Sequence, residues 1–200
     1  MNSVAVLRPK RTLGNYIIKG YMSLPRLSLA FFLVLTFGSI VNTTAAQNPS
    51  ATSILFEIHK QGTKKVFNRL WESNEWDYVI KQIETGDENW LKVATKLNEA
   101  TDAGASEMLI LAAGVALDKE PYNVLEIAAP VFSVENVCGY PDLGDPRFNT
   151  KVKSLAYLDA RIKIVRSLKQ EDVAQLREQC LETLNKTRIE IAGPKGPFSR

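Results

Sequence analysis

Histidine and cysteine are nearly missing from this sequence: His59 is the only histidine, and Cys138 and Cys180 are the only cysteines, among 200 residues. That shortage excludes whole chemistries. Structural zinc asks for four Cys or His ligands and catalytic zinc for three protein ligands; neither set is at hand, so no metal and no cofactor is expected. A serine hydrolase needs a base beside its nucleophile, and His59 stands apart, near the start of the mature chain. Stretches that alternate apolar and polar residues, the mark of half-buried strands, are also lacking. So are acids in the first 46 positions, where the charged side chains are Arg8, Lys10, Arg11, Lys19 and Arg26, all basic.

What that leader does contain is "LSLAFFLVLTFGSIV", residues 27–41, an uncharged run behind Arg26 and ahead of the small and polar "NTTAAQ". Basic, apolar and small-residue segments in that order are the layout of a secretory signal peptide. The run is short of the roughly 20 apolar residues that span a bilayer. Residues 1–46 are therefore expected to be a signal peptide cut after Ala46. Met22 begins a more compact version, "MSLPRLSLAFFLVL", and is the expected true start. Of the 25 basic side chains five fall in this segment and none of the 22 acids does, which leaves the mature chain with 20 against 22 and a net charge of two negative. No basic surface argues for nucleic acid. The mature chain is expected to be exported to the periplasm and soluble, with no membrane contact after cleavage. Its remaining length of about 154 residues suits one core. Two cysteines in an oxidising compartment favour a Cys138–Cys180 disulfide, with two buried thiols as the alternative.

Helical spacing runs through the mature chain. Val66, Phe67, Leu70 and Trp71 form one stripe; Trp76, Val79, Ile80 and Ile83 form the next. Asn74 is placed to cap the second helix, Gly86 to close it, and Asp87 to start a third along Trp90, Leu91, Ala94 and Leu97. "MLILAAGVAL", 108–117, is apolar all round and reads as a central buried helix. Pro121 suits a helix start, Pro130 an end, and Ser133 the cap of a last turn, "VENVC". "GYPDLGDP", 139–146, reads as a loop without the alternating Asp/Asn of an EF-hand. Val152, Leu155, Leu158, Ile162 and Val165 line one long helix; Val173, Leu176, Cys180, Leu184 and Ile191 line another. The expected fold is all-α: a single small irregular bundle, or a short stack of antiparallel hairpins, of seven or eight helices. The expected divisions are a poorly ordered or partly helical lead at 47–62, the helical domain at 63–192 and a disordered tail at 193–200.

Three stretches invite a chemical reading. "DAGASE", 102–107, approaches the Gly-x-Ser-x-Gly elbow, but Met108 replaces the second glycine and no strand precedes it. It also lacks a P-loop lysine, and Asp102 and Glu107 would repel phosphate. The plain reading has Gly104 left-handed at a helix end, Ser106 as cap and Glu107 complementing the dipole. "WESNEW" sets Glu72 before a serine, which is similar to lytic transglycosylases, whose remaining motifs are missing. Glu72 is thus the candidate carboxylate of a sugar-cleaving enzyme. Trp71, Trp76 and Trp90 are core residues by their spacing, and any of them left exposed is a candidate partner contact.

"GDENWLKVATKL", "TDAGASEML" and "FSVENVCGYPDLGDPRF" together resemble a group of small exported bacterial proteins of uncharacterised function, over about residues 75–148. The resemblance implies one helical exported domain and carries neither an activity nor a functional residue. No catalytic constellation being present, the expected function is that of a soluble exported binding protein, an inhibitor or immunity-type partner of another exported protein. A carboxylate-dependent cell-wall-active enzyme and a helper of envelope assembly are the alternatives, and the oligomeric state is left open. Mass spectrometry of the exported protein should find Gln47 at its N-terminus; full-length chain recovered from membranes would show that 27–41 is an anchor.

Overall fold

Helical periods in the sequence become helices in space. The computed structural model of the chain describes residues 48–139, 148–194 and 196–198, and every regular element among them is helical. In order these are α1 (Ala51–Gln61), α2 (Thr63–Glu72), α3 (Trp76–Ile83), α4 (Glu88–Asn98), α5 (Ala103–Ala116), α6 (Pro121–Asn123), a π-helical turn (Val124–Ala128), α7 (Ala129–Phe132), α8 (Val134–Cys138), α9 (Lys151–Arg166) and α10 (Ala174–Ala192). The stretch from α6 to α7 is unbroken, so the described residues hold nine helices, one more than expected. The expected signal peptide, 1–46, and residues 140–146 of the expected loop lie outside the described residues. No described helix is long and apolar enough to cross a membrane.

One of these helices is α1, in the segment 47–62 expected to be poorly ordered or partly helical. Ser50 and Ser53 trade bonds between backbone amide and side-chain hydroxyl at 3.0 and 3.1 Å, a reciprocal cap for the first turn. Ile54 is wholly buried where α1 packs on α2 and α4. Burial of a side chain of that size contributes roughly 1.5–3 kcal/mol, so this segment belongs to the core.

The helix junctions follow backbone chemistry. The Asp87 carboxylate accepts from the amides of Asn89 and Trp90 and starts α4 as expected. Gly86 closes α3 at φ +81; a Cβ there would lie 2.6 Å from Glu120 Cβ, so the position needs glycine for both conformation and space. Asn74 differs from expectation. It ends α2 in the left-handed region, φ 62, and the next amide, of Glu75, reaches back to the Leu70 carbonyl at 3.1 Å. Pro130 does not end its helix either. In a regular helix its ring would meet the carbonyl four residues back. The π turn before it widens the spiral and carries the chain on to Phe132. Ser133 then turns the backbone at φ 70 and caps α8 by accepting from the Asn136 amide.

Helix α5 is central, packed on α3, α4, α8 and the π turn, and α9 pairs with α10. Leu158, Ile162 and Val165 face inward from α9, but Val152 is 78% exposed and its expected place in the stripe is lost. Toward the C-terminus the expected disordered tail is tied down in part: Phe198 packs against the core. Tyr122 on α6 donates to the Asp172 carboxylate at 2.7 Å, ahead of α10. That bond, with lesser effects of burial and of the charges of Asp172 and Glu126, pushes the phenol up to about 12.

Cys138 and Cys180 form the expected disulfide, Cα atoms 5.5 Å apart and both residues fully buried. It joins α8 to α10 across 42 positions. Closing a loop of this size lowers unfolded-chain entropy by an equivalent of about 4 kcal/mol. Reductant should therefore lower the denaturant midpoint substantially; equal midpoints with and without reductant would show that the bond contributes nothing.

Candidate functional site

The "DAGASE" stretch resolves into a helix start. The N-cap is Asp102, whose carboxylate accepts from the Ala105 amide at 2.9 Å. Gly104 is not left-handed; it sits inside the first turn of α5, and a Cβ there would meet only Asp102 Oδ1 at 3.8 Å. Ser106 does not cap. Its hydroxyl donates to Asn98 Oδ1 at 2.6 Å and ties α5 back to the end of α4. Glu107 lies beyond the first turn, so its dipole role is lost too. The glycine pulled the expected boundary too far along; the signal overlooked was Asp102 itself, a favoured N-cap residue.

A second polar group was not anticipated. Arg161 on α9 has only 3% of its side chain exposed. Its Nε donates to Asp118 Oδ1 at 2.8 Å, its Nη2 donates to the Gly114 carbonyl, and Tyr157 donates to Asp118 Oδ2 at 2.8 Å. The guanidinium also lies 4.7 Å from the Tyr157 ring centre. The last turn of α5 tightens here, the Asp118 amide bonding Val115 rather than Gly114, and the carbonyl so released takes the guanidinium. A cation at a helix C-terminus also opposes its dipole. Arg161 falls in the inward stripe of Ser154, Leu158 and Val165, which was its one sequence signal. All its polar atoms with partners point at protein, so the group is a structural clasp.

Glu72 is exposed on the last turn of α2. Two carboxylates facing each other across a sugar site are what the reaction needs. Glu57 on α1 and Glu75 ahead of α3 are both held by Arg69, at 3.0 and 2.5 Å. The carboxylate reading draws no support from this placement. Among the described residues no group of three or more His, Cys, Asp or Glu is gathered as a metal would require.

The tryptophans separate. Trp90 is buried against Tyr78, ring centres 6.0 Å apart, and Trp76 is buried with its indole N–H directed at Met108 sulfur at 3.4 Å. Both are buried, as their spacing suggested, although Trp76 also contributes an edge to a surface hollow. Trp71 is 51% exposed. It leans on Phe67 at 5.9 Å and Trp76 at 5.8 Å, and those two meet edge to face at 5.3 Å. Beside it lies a hollow of about 260 Å³ lined by Trp71, Asn74, Trp76 and Asp77. Helix α2 carries Trp71 to its end, the left-handed Asn74 turns the chain, and α3 brings Trp76 and Asp77 back alongside. This corner is the candidate site.

No protein family, curated protein or solved structure matches the chain.

The cap assignment has a direct test by thermal unfolding. Gly104→Ala should leave stability unchanged or raise it by up to about 1 kcal/mol, since alanine is the better helix residue and the space is free. Asp102→Ala should cost about 1 kcal/mol. A destabilised Gly104→Ala would restore the left-handed assignment.

Proposed function

We propose that this chain is a soluble, exported, periplasmic binding protein without catalytic activity, an inhibitor or immunity-type partner that docks another exported protein through the Trp71 corner. The observation that carries the reading is the exposure of Trp71 on a braced aromatic cluster. Tryptophan is enriched among the few residues that dominate binding energy. One already held by Phe67 and Trp76 loses little side-chain freedom on association. A buried disulfide agrees with an oxidising compartment.

The test places a photoreactive side chain at position 73, on the same corner, in the living source cell. Irradiation should give a cross-link to one exported protein, identified by mass spectrometry. Trp71→Ala should reduce the adduct by the equivalent of about 2 kcal/mol of binding. An adduct that ignores Trp71→Ala, or that forms equally from position 163 on α9, would reject the corner as the docking surface.

A further inference from the structure

The chemistry of the hollow specifies what the partner inserts there. Among the described residues its walls are two indoles and two polar side chains, Asn74 and Asp77. Neither polar side chain has a hydrogen-bond or ion-pair partner among the described residues. From Trp71 to Asp77 the chain carries Glu72, Glu75 and Asp77 and no base. Arg69 pairs with Glu75 and Glu57 together, and the cation Lys64 lies over the Phe67 ring of the same cluster, which leaves Asp77 as the negative charge in the wall of the hollow itself. Resting on the docking role proposed above, we infer that the Trp71 hollow receives an arginine side chain of the partner, stacked on the indole with its N–H groups directed to the Asp77 carboxylate and the Asn74 carbonyl.

Three physical arguments select this occupant. An indole face attracts a cation through its quadrupole, and a guanidinium stacks on it while keeping donors free in its own plane. A carboxylate beside the ring adds the charge-assisted bond that a neutral ligand cannot supply. The N-terminus of α3 also lies here and would favour an anion, but a helix end contributes about half a positive charge, whereas Asp77 contributes a full negative one and Glu72 lies close by in sequence. The balance is negative. The size agrees as well: about 260 Å³ lies below the roughly 300–1,000 Å³ of pockets for whole small-molecule ligands, and suits one inserted side chain.

The test uses the full mature protein and N-acetyl-arginine methylamide, with N-acetyl-citrulline methylamide as the neutral isostere, followed through the indole N–H signals in NMR. The arginine probe should shift the Trp71 signal saturably, and citrulline should bind roughly fivefold more weakly, the effect of about 1 kcal/mol from a charge on an indole. Asp77→Asn should reduce that preference, leaving the part that the indole supplies. Trp71→Leu should abolish the binding while Trp90, which packs on Tyr78 outside the hollow, keeps its native signal and so reports an intact fold in the same spectrum. Equal binding of arginine and citrulline, no shift with either, or a saturable shift with methyl glucoside instead would each overturn the inference. A cross-link from position 73 without an arginine shift would reject the arginine and keep the docking corner; loss of both would reject the corner as well.

Discussion

A guanidinium removed from water at the end of α5 sets the arrangement of the C-terminal half. Arg161 reaches Asp118 and the Gly114 carbonyl while Tyr157 holds the other oxygen of the same carboxylate. Replacing such a pair by apolar residues is often neutral, but removing one partner costs about 3–5 kcal/mol because a buried charge is left alone. The clasp therefore acts as a condition on geometry more than as a source of stability. Helix α9 has one register on α5 in which both donors are satisfied. Helix α10 packs along α9 and inherits that register, and the disulfide holds α10 to α8.

The N-terminal half is organised by its corners. Gly86 lets α3 and α4 meet tightly, and the neighbouring carbonyls are used: Lys119 donates to Glu84 at 2.7 Å and Asn123 to Gly86 at 3.0 Å. Both bonds come from the segment after α5, so one glycine turn is fastened to the far side of the central helix. The Asn74 turn is different. Its side chain has no partner among the described residues, and it stands beside Trp71 where the aromatic cluster comes to the surface. A left-handed non-glycine residue carries a small conformational cost, and at this position it folds α3 back so that Trp76 supports the exposed ring.

Support for Trp71 is what links packing to function. A lone surface tryptophan on a mobile turn would have to be ordered on binding. Here the ring rests on two others whose own positions belong to the core, so the contact surface is preformed. The charge around it is fixed in part as well, because Arg69 is engaged by Glu57 and Glu75.

Much of the fold was legible in the sequence because it depends on neighbours a few residues apart. Asp87 before Trp90, Pro121 at a first turn, Ser133 before "VENVC" and the stripes through Leu70, Ile83, Leu97 and Leu184 are local patterns with local causes. The pairing of Cys138 with Cys180 was expected from their number and from the leader that points to an oxidising compartment. Tertiary structure decided what local pattern could not. Trp71 shares a stripe with Phe67 and Leu70, yet it is exposed because no described helix covers the end of α2; Val152, at the start of α9, is exposed too. Arg161 lies in an inward stripe of α9, but its partners, Asp118 and a released carbonyl, come from 43 and 47 positions away. Spacing tells which side chains share a face; only the neighbours that arrive from elsewhere in the chain decide whether that face meets protein or water.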